Sequence, residues 1–493
     1  MGYSAALTEG VHEAATAHLA RSDGQEDLCF GIWHPSRGKA RVTALLQSLI
    51  LPEEGDRSVH GNAEFHPAFF ERALSAALNA GGGLAFLHSH PWDGWQDMSR
   101  PDVEAEKGMA PAVLSATGLP LVGFTLGALD GAWSARFWNR TGRRAYARNW
   151  CESVRVIGER LAVTFAEHLI PTPKFGQQLD RTISAWGPAA QGTISRLRVG
   201  IVGLGSVGSI VAETLARSGI SRVELIDFES IERFNLDRTL HAYPNDAESC
   251  RPKVSISAEA IRKSAVIEEF EANEHELSIC EDEGYRTALD CDVLFSCVDR
   301  PWPRSVLNFI AYSHLIPVID GGIHVSRKPN GRIRGADWKA HVATIGRPCL
   351  ECLGQYDPGL VQAEREGHFE DPTYIESLPS DHPVKARQNV FAFSLATASL
   401  EVLQLLSLVV APSGIGNPGG QNYHFVTGQI DLDRSSCRSD CASLRVAGLG
   451  DTGGHPGTVP CHDSAERTRQ ARAMKRSRPE GGGNRRRKEK PMD

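Results

Sequence analysis

The chain has 493 residues, of which 41% are hydrophobic and 23% are charged, and its formal net charge at pH 7 is −7. This length suits two or three domains that each bury a core, and the composition is that of a globular protein rather than a disordered or fibrous one. The negative charge argues against a protein dedicated to nucleic acid, although residues 451–493 carry 11 Lys/Arg against 6 Asp/Glu.

The first residues, the longest apolar stretch and the cysteines bear on where in the cell the protein is found. The first residues, MGYSAALTEGVHEAA, lack the basic start and apolar core of a signal peptide. The longest apolar stretch begins at Phe391 and includes Glu401 and Gln404, so we expect a buried helix rather than a membrane span. Eleven cysteines without a disulfide-framework spacing indicate a reducing compartment. We therefore expect a cytoplasmic protein without a membrane segment.

Composition divides the chain into four parts. Residues 1–165 mix short apolar runs with a helix near 67–80, which predicts an α+β domain, and residues 166–180 predict a linker. Residues 181–445 alternate strands and helices, including a helix around 302–313, as is typical of an α/β domain with a mostly parallel sheet. Residues 446–493 have few apolar side chains and a basic end, so we expect a disordered tail. That tail could contact nucleic acid or acidic partners, although a solvated tail is the simpler interpretation.

In the first domain, the stretch LAFLHSHPWDGWQDMSRPD at 84–102 carries candidate metal ligands. His88 and His90 alternate on a predicted strand, so their imidazoles leave the same face, and Asp102 can supply a third ligand. Three protein ligands leave a position for water, as in catalytic zinc sites. Glu26 is the candidate base that moves a proton to the leaving amine, and Ser99 could stabilise an oxyanion. The alternative is a pair of strand-end histidines without metal.

This pattern resembles the JAMM (MPN-plus) metallopeptidases, in which an upstream Glu precedes His-x-His-Pro and then Ser-x-x-Asp. The resemblance covers about the first 150 residues and implies an α+β JAMM-type domain with a catalytic Zn²⁺ and (iso)peptidase activity. Eight residues separate His90 from Ser99, one more than the family usually has. Asp93 and Asp97, which lie in this spacer, could also compete as ligands.

In the second domain, a glycine-rich turn lies between a predicted strand and a predicted helix. Its glycines, Gly203, Gly205 and Gly208, allow a tight turn in which the backbone approaches phosphate at the helix N-terminus. Asp227 ends the next strand and can bind ribose hydroxyls. A dinucleotide-dependent dehydrogenase would show the same features, so the glycines alone do not decide the chemistry.

Charged side chains after the predicted strands favour a triphosphate substrate. Asn235 and Arg238 follow the second strand, Lys253 opens the next helix, and Asp299 ends a later strand. Cations would neutralise phosphate charge and an aspartate would hold Mg²⁺ during attack on the α-phosphorus of ATP. The chain has no Gly-Lys-Ser/Thr P-loop, which excludes that class of ATPase.

The region from about 175 to 442 resembles the ThiF/MoeB family, which includes the ubiquitin-activating enzymes. The matching residues are Gly203, Gly205, Gly208, Asp227-Phe228-Glu229, Asn235-Leu236-Asp237-Arg238, Lys253 and Asp299, with Glu229 where the family usually has Asp. The resemblance implies a Rossmann-like fold and ATP- and Mg²⁺-dependent adenylation of the C-terminal glycine of a ubiquitin-like protein, with catalytic roles for Arg238, Lys253 and Asp299. It also implies a homodimer in which Arg181, within LDRTISAWG, reaches the ATP of the partner subunit.

Four cysteines form two pairs, Cys349 with Cys352 and Cys437 with Cys441. Four thiolates would make a closed, structural Zn²⁺ site, and ThiF/MoeB-like proteins often carry two such pairs. The alternative is a free, reactive Cys352. No cysteine lies between 353 and 436, so the sequence offers no obvious nucleophile for a thioester. Without one, the acyl-adenylate would pass directly to a sulfide donor or a separate conjugating enzyme.

These features predict a bifunctional enzyme of a bacterial-type ubiquitin-like pathway. The second domain would adenylate the partner protein, and the first would trim its precursor or release it from conjugates. Two alternatives remain: activation of a sulfur-carrier protein for a small-molecule biosynthetic pathway, and a binding scaffold with one or both sites inactive. A nicotinamide-dependent dehydrogenase is a more distant possibility.

Overall fold

The structure, a computed structural model, describes residues 1–60, 62–379, 382–385 and 388–476. The basic run at 485–490 lies outside the described residues. The strands are β1 (Gly2–Thr8), β2 (Leu28–Arg37), β3 (Arg41–Ile50), β4 (Arg57–His60), β5 (Asn62–Phe65), β6 (Gly83–His90), β7 (Leu121–Gly127), β8 (Trp133–Arg140), β9 (Tyr146–Trp150), β10 (Ser153–Ile157), β11 (Leu161–Phe165), β12 (Arg198–Val202), β13 (Arg222–Ile226), β14 (Glu271–His275), β15 (Val293–Ser296), β16 (Val318–Arg327), β17 (Ile333–Ala343), β18 (Gly420–His424) and β19 (Gln429–Asp433). The α-helices are α1 (Glu9–Leu19), α2 (Pro67–Asn79), α3 (Arg100–Thr117), α4 (Asp180–Trp186), α5 (Pro188–Arg196), α6 (Gly208–Arg217), α7 (Pro244–Glu248), α8 (Lys253–Ser264), α9 (Asp282–Ala288), α10 (Pro301–Ser313), α11 (Pro358–Arg365), α12 (Pro372–Ser377), α13 (Phe391–Val410), α14 (Ala442–Arg445) and α15 (Asp463–Arg476).

The N-terminal domain is built on a sheet in the order β11-β10-β1-β3-β2-β6-β7-β8-β9. Every residue of β6 is buried, because helices cover both faces of the sheet. Helices α2 and α3 pack on one face around Phe30, Phe86 and Val113. Helix α1 packs with Trp33 in a second cluster. The α+β character expected from the sequence is present, and the expected helix near 67–80 is α2.

The C-terminal domain has a sheet in the order β14-β13-β12-β15-β16-β17-β18-β19. The pairings from β14 to β16 are parallel, and those from β16 to β19 are antiparallel. The parallel part confirms the Rossmann-like α/β expectation and brings the carboxyl ends of β12, β13 and β15 to one edge, where such folds bind ligands. The sequence did not predict the antiparallel extension.

Helix α13 is long and apolar enough to cross a membrane by length and composition, and half of it is buried within the protein. It packs against β16, β17 and α6. Its Ala398, Val402 and Leu405 belong to the main hydrophobic core, and its Glu401 is fully buried. In this structure α13 is therefore a core helix, as expected from the sequence.

The two domains share a core and a buried charge cluster. Ala6 and Leu45 of the first domain pack in the same cluster as Val199 and Ile201 of the second. Asp292, which precedes β15, accepts hydrogen bonds from Arg41 (2.8 Å) and Arg155 (3.2 Å), and all three side chains are nearly inaccessible to solvent.

The charge state of this cluster follows from its burial. Burial alone would raise the pKa of Asp292, but Arg41 and Arg155 outweigh it and hold the pKa at about 2. Asp290 adds to the same junction, because its carboxylate accepts the backbone N–H groups of Ala40 and Arg41. The domains are therefore joined by both apolar packing and compensated buried charge.

The expectation of a disordered tail over residues 446–493 is wrong for residues 446–476, which we call the C-terminal arm. Asp451 pairs with Arg37 (2.9 Å) and Arg286 (2.8 Å), which lie in different domains. Further along, Val459 forms a parallel bridge with Glu281. Charged and hydrogen-bonded contacts with the two domains order this segment, although it has few apolar residues. Residues 477–493 lie outside the described residues.

Replacing Asp292 with Ala should lower the free energy of unfolding by about 3 to 5 kcal/mol, because it leaves two buried guanidinium groups without their carboxylate. Chemical denaturation followed by circular dichroism measures this change. The matched control is Glu283→Ala, which removes an ion pair with Lys39 between side chains that are both more than half exposed, and should cost less than about 1 kcal/mol. Equal effects of the two variants would contradict the role given to the buried cluster.

Candidate functional site

His88 and His90 meet Asp102 at the end of β6. The Nε2 atoms of the two histidines lie 3.2 Å apart, and Asp102 carboxylate oxygens lie 3.3 Å from His90 Nε2 and 3.7 Å from His88 Nε2. The three side chains are buried or half-buried. Two imidazole nitrogens and a carboxylate oxygen that converge in this way fit the donor set of a zinc ion.

Ser99 and Asp102 are held by the start of α3. Ser99 is the N-cap: its Oγ accepts the N–H of Asp102 at 3.3 Å, and its own N–H donates to Asp102 Oδ2 at 2.8 Å. The longer spacer is absorbed by the loop between β6 and α3, so Asp102 still reaches both histidines. Asp93 and Asp97 are exposed and stand outside the cluster of possible ligands.

Glu26 is half-buried and lies two residues before the start of β2. Strand β2 pairs with β6, and its first residue, Leu28, is the strand partner of His88. Burial raises the pKa of the Glu26 carboxyl, and the nearby charges of His90 and Asp102 act in opposite directions on it. A carboxyl group with a raised pKa accepts a proton more readily than a free one, as a general base requires. The structure therefore brings the predicted base to the predicted ligands.

Sequence reasoning missed the residues that support this site. Asp27, which is 1% exposed, donates its N–H to Ser89 Oγ (3.1 Å) and accepts from Arg57, so it fixes the chain beside Glu26 to the strand between the two histidines. These residues are scattered through the sequence, and no local pattern marks them.

A second buried chain of contacts reaches His88 at Nε2, the nitrogen that also faces His90 and Asp102. Arg136 donates to Thr125 Oγ1 (2.5 Å), which lies 3.4 Å from His88 Nε2, and Arg136 is itself paired with the buried Glu106. The pKa of His88 is lowered by its burial, which keeps the imidazole neutral, the form in which histidine binds metal.

The glycine turn after β12 has the geometry that a nucleotide loop needs. Gly203 has φ +90°, and a side chain there would meet the carbonyl oxygen of Cys297 at 2.5 Å. A side chain at Gly208 would meet the Gly203 carbonyl, whereas the space above Gly205 is open. Gly203 and Gly208 are therefore required by the turn, and Gly205 leaves room for a ligand to approach the backbone.

Four charged residues gather at the carboxyl ends of the parallel strands. Asp227 follows β13 and accepts the N–H groups of Leu204 (2.6 Å) and Glu229 (2.7 Å). Lys253, which is 7% exposed, forms an ion pair with Glu229. Burial lowers the pKa of Lys253, but Asp227 and Glu229, helped by Asp299, outweigh it and raise the pKa, so the ammonium stays charged.

The remaining predicted residues of this site are placed differently. Asn235 is buried in a short turn, where its Oδ1 accepts the N–H of Glu232. Arg238 donates to the Phe234 carbonyl and to Asp237 within the same turn. Arg181 is exposed on α4, and its side chain makes no ion pair or hydrogen bond with any residue that the structure describes. The structure thus gathers Asp227, Lys253 and Asp299, but does not bring Arg181 to them within one chain.

The four cysteines Cys349, Cys352, Cys437 and Cys441 place their sulfur atoms within 4.8 Å of one another. The Cys349 and Cys441 sulfurs are 3.6 Å apart, and backbone N–H groups of Cys349 and Cys352 point to sulfurs of the cluster. All four are free thiols, and this donor set fits a structural Zn²⁺ site. Of the other cysteines, four are buried, two (Cys250 and Cys297) are half-buried and Cys461 is exposed.

Purified protein should contain about two zinc ions per chain, because two separate donor sets fit the ion. Metal analysis of His88→Ala should show a loss of about one zinc, and Cys349→Ser should lose a different one. The double variant should therefore hold almost none. Wild-type protein with about one zinc, unaffected by His88→Ala, would contradict the first site.

A family model described as "ThiF family" matches residues 178–438. The molybdopterin-synthase adenylyltransferase of Escherichia coli (strain K12) is 28% identical over 165 residues, which are 32% of this chain and 59% of that protein. Ubiquitin-like modifier-activating enzyme 5 of Mus musculus is 30% identical over 121 residues, 22% of this chain and 29% of that protein.

Among solved structures, E. coli MccB with ATP matches with a TM-score of 0.42 at 17% identity, and the match covers 56% of this chain and 76% of that one. The chain spans less than two thirds of the length of these two curated relatives. The family match covers more than half of the chain and leaves residues 1–177 outside it. The chain belongs to the ThiF family.

Proposed function

We propose that this chain is an ATP-dependent adenylyltransferase that activates the C-terminal carboxylate of a ubiquitin-like or sulfur-carrier protein. The observation that carries the proposal is the gathering of Asp227, Glu229, Lys253 and Asp299 beside the glycine turn. Membership of the ThiF family supports it, as do two relatives whose names describe an adenylyltransferase and a ubiquitin-like modifier-activating enzyme.

The chemistry follows from these groups. A carboxylate oxygen of the partner's C-terminal glycine attacks the α-phosphorus of ATP, the bond from that phosphorus to the bridging oxygen breaks, and pyrophosphate leaves. Lys253 neutralises charge that develops on the phosphate oxygens, and Asp227 binds the ribose hydroxyls. Asp299 would hold Mg²⁺, which screens the leaving pyrophosphate. Arg238 would have to leave its own turn to reach the phosphates.

The proposal extends to a homodimer, because Arg181 is exposed and free to reach a partner subunit's nucleotide. The acyl-adenylate then passes to an acceptor, either a sulfide donor or a conjugating enzyme. The four buried cysteines outside the Cys349 cluster are poor nucleophiles for a thioester, since burial disfavours the thiolate. We place these steps in the cytoplasm, where thiols stay reduced.

A second activity is favoured by the site at the end of β6. We propose that the N-terminal domain is a zinc-dependent (iso)peptidase of the JAMM type, with the ion held by His88, His90 and Asp102. The bound ion would polarise a water and the scissile carbonyl. The Glu26 carboxylate takes the proton of the attacking water and delivers it to the leaving amine. The Ser99 hydroxyl, which only accepts in its cap, can donate to the oxyanion.

A common ligand would explain the fusion of the two domains. Both activities would act on the extended C-terminal tail of one small protein: the first domain would trim or release it, and the second would activate it. Activation of a sulfur-carrier protein for a small-molecule pathway is the alternative proposal, and a relative named as an adenylyltransferase of the sulfur carrier protein ThiS supports it.

Pyrophosphate exchange tests the adenylation. Wild-type protein with a small glycine-ending carrier protein should incorporate labelled pyrophosphate into ATP, and Asp299→Asn should slow this exchange by about 10²- to 10³-fold because the metal-binding charge is lost. The matched control is Asp431→Asn, which changes an exposed aspartate on β19 that pairs with His424 and should leave the exchange rate unaltered. Absence of exchange with every glycine-ending carrier would contradict the proposed activity.

Cleavage of a carrier fusion tests the peptidase. Glu26→Gln should lower the cleavage rate by about 10²- to 10⁴-fold because the proton acceptor is lost, while pyrophosphate exchange remains at the wild-type rate. Zinc content should be unchanged, since Glu26 is not a proposed ligand. Full cleavage by the Glu26→Gln variant would exclude Glu26 as the base, and no cleavage by wild-type protein would contradict the peptidase itself.

A further inference from the structure

The C-terminal arm ends against the loop that follows β13, although it lies beyond the residues matched by the family model. The arm first contacts the first domain, where Thr452 Oγ1 lies 3.0 Å from His34 Nδ1, and then runs along α9. Its helix α15 reaches the 227–230 loop, which carries Asp227 and Glu229. The arm therefore contacts a part of the chain that the proposed adenylation uses.

Arg472 makes the decisive contacts. It is 4% exposed, and its Nη2 donates to the Phe228 carbonyl at 2.9 Å while its Nε donates to Ser230 Oγ at 3.0 Å. Its Nη1 pairs with Glu276, on the segment that follows β14. A planar guanidinium can serve all three acceptors at once, which a single ammonium cannot do.

These contacts bear directly on the nucleotide residues. Phe228 stands between Asp227 and Glu229, and Ser230 follows them, so Arg472 holds the loop on both sides of Glu229. Among the described residues, no backbone N–H donates to the Phe228 carbonyl, and Arg472 is its hydrogen-bond donor. The position of this loop sets where the Asp227 carboxylate stands relative to the glycine turn, through its bond to Leu204 N–H.

The arm also contacts the second loop of the site. The His462 ring lies edge-on to Phe228, with centroids 5.5 Å apart, and to Trp302 at 5.0 Å. Trp302 lies in the first turn of α10, three residues after Asp299, and its Nε1 donates to the Gly457 carbonyl at 3.0 Å. One segment thus joins the ribose side of the site to the side that carries Asp299.

We propose that the C-terminal arm positions the nucleotide site of this chain and that Arg472 is the positioning residue for the 227–230 loop. This inference rests on the proposed adenylation, because it names ATP as the ligand whose binding the arm supports. Arg472 itself bonds to the loop and not to the reacting atoms. Its removal lets the loop and its carboxylates move, which weakens ATP binding but leaves the chemistry of bound ATP intact.

The test compares full-length wild-type protein with Arg472→Ala, Arg472→Lys and the control Arg467→Ala. Arg467 lies on the same helix, is more than half exposed and pairs with Glu370. Calorimetric titration with ATP should show binding weakened about tenfold in Arg472→Ala. In pyrophosphate exchange the KM for ATP should rise by a similar factor, with kcat and the KM for the carrier protein within about twofold of wild type. Arg472→Lys should lie in between, and Arg467→Ala should match wild type.

A purely structural role would produce a different result. It would lower the Tm and the active fraction, and so reduce kcat, without raising the KM for ATP. Arg472→Ala with wild-type affinity for ATP, or a loss equally large in Arg467→Ala, overturns the inference. If Arg472→Ala does not fold, the KM-against-kcat comparison is made with Arg472→Lys, and wild-type affinity for ATP in that variant overturns the inference.

The outcome also separates this inference from the proposed function. Wild-type protein that binds ATP but shows no exchange contradicts the adenylation, while the titrations still decide the role of Arg472. Wild-type exchange combined with unaltered ATP binding in Arg472→Ala removes only the positioning role. Wild-type protein that binds no ATP overturns both.

Discussion

Asp292 is buried between Arg41 and Arg155 at the junction of the two domains, and the arrangement of the molecule depends on it. Its carboxylate also accepts the N–H of Arg198 at 3.0 Å, so it ties the start of β12 to two strands of the other domain. Buried guanidinium groups are tolerated only with such compensation. Since β12 leads directly into the glycine turn, the contact that joins the domains also anchors the strand from which the nucleotide site begins.

In both candidate sites, the residues proposed to bind or react rest on buried polar groups. Beside His88 Nε2 lie Thr125, Arg136 and Glu106, which form an enclosed chain of hydrogen bonds and an ion pair. Behind the 227–230 loop stands Arg472. Supporting groups of this kind hold reactive side chains in one geometry, because a buried polar group without a partner is costly.

The sequence was informative where the relevant residues are close together in the chain or lie on one regular element. His88 and His90 share a strand face, so their grouping followed from the alternation of side chains along a strand. The grouping of Ser99 and Asp102 with them was implied by the resemblance to the JAMM metallopeptidases. The glycine turn and the parallel strands followed from the alternation of strands and helices. The antiparallel extension and the polar chain beside His88 could not be predicted in this way, because they join residues far apart in the sequence.

The C-terminal arm shows where composition misleads. A segment with few apolar residues cannot form a core of its own, which is why disorder was expected. It is nevertheless ordered over residues 446–476, because the rest of the chain offers fixed acceptors and counter-charges such as Glu281 and Arg286. Apolar content measures the capacity to fold alone, and this arm folds on an existing surface.

The shared core bears on how a substrate could move between the two candidate sites. Ala6 and Leu45 pack with Val199 and Ile201 as if within a single domain, and among the described residues this packing argues against a hinge at the junction. Under the proposed functions, a protein tail that is cleaved at one site and activated at the other would therefore have to move between the two sites itself. The carrier protein would have to dissociate from one site, reorient and bind at the other. The order of the two reactions would then depend on which form of the carrier's tail, uncleaved or cleaved, each site binds.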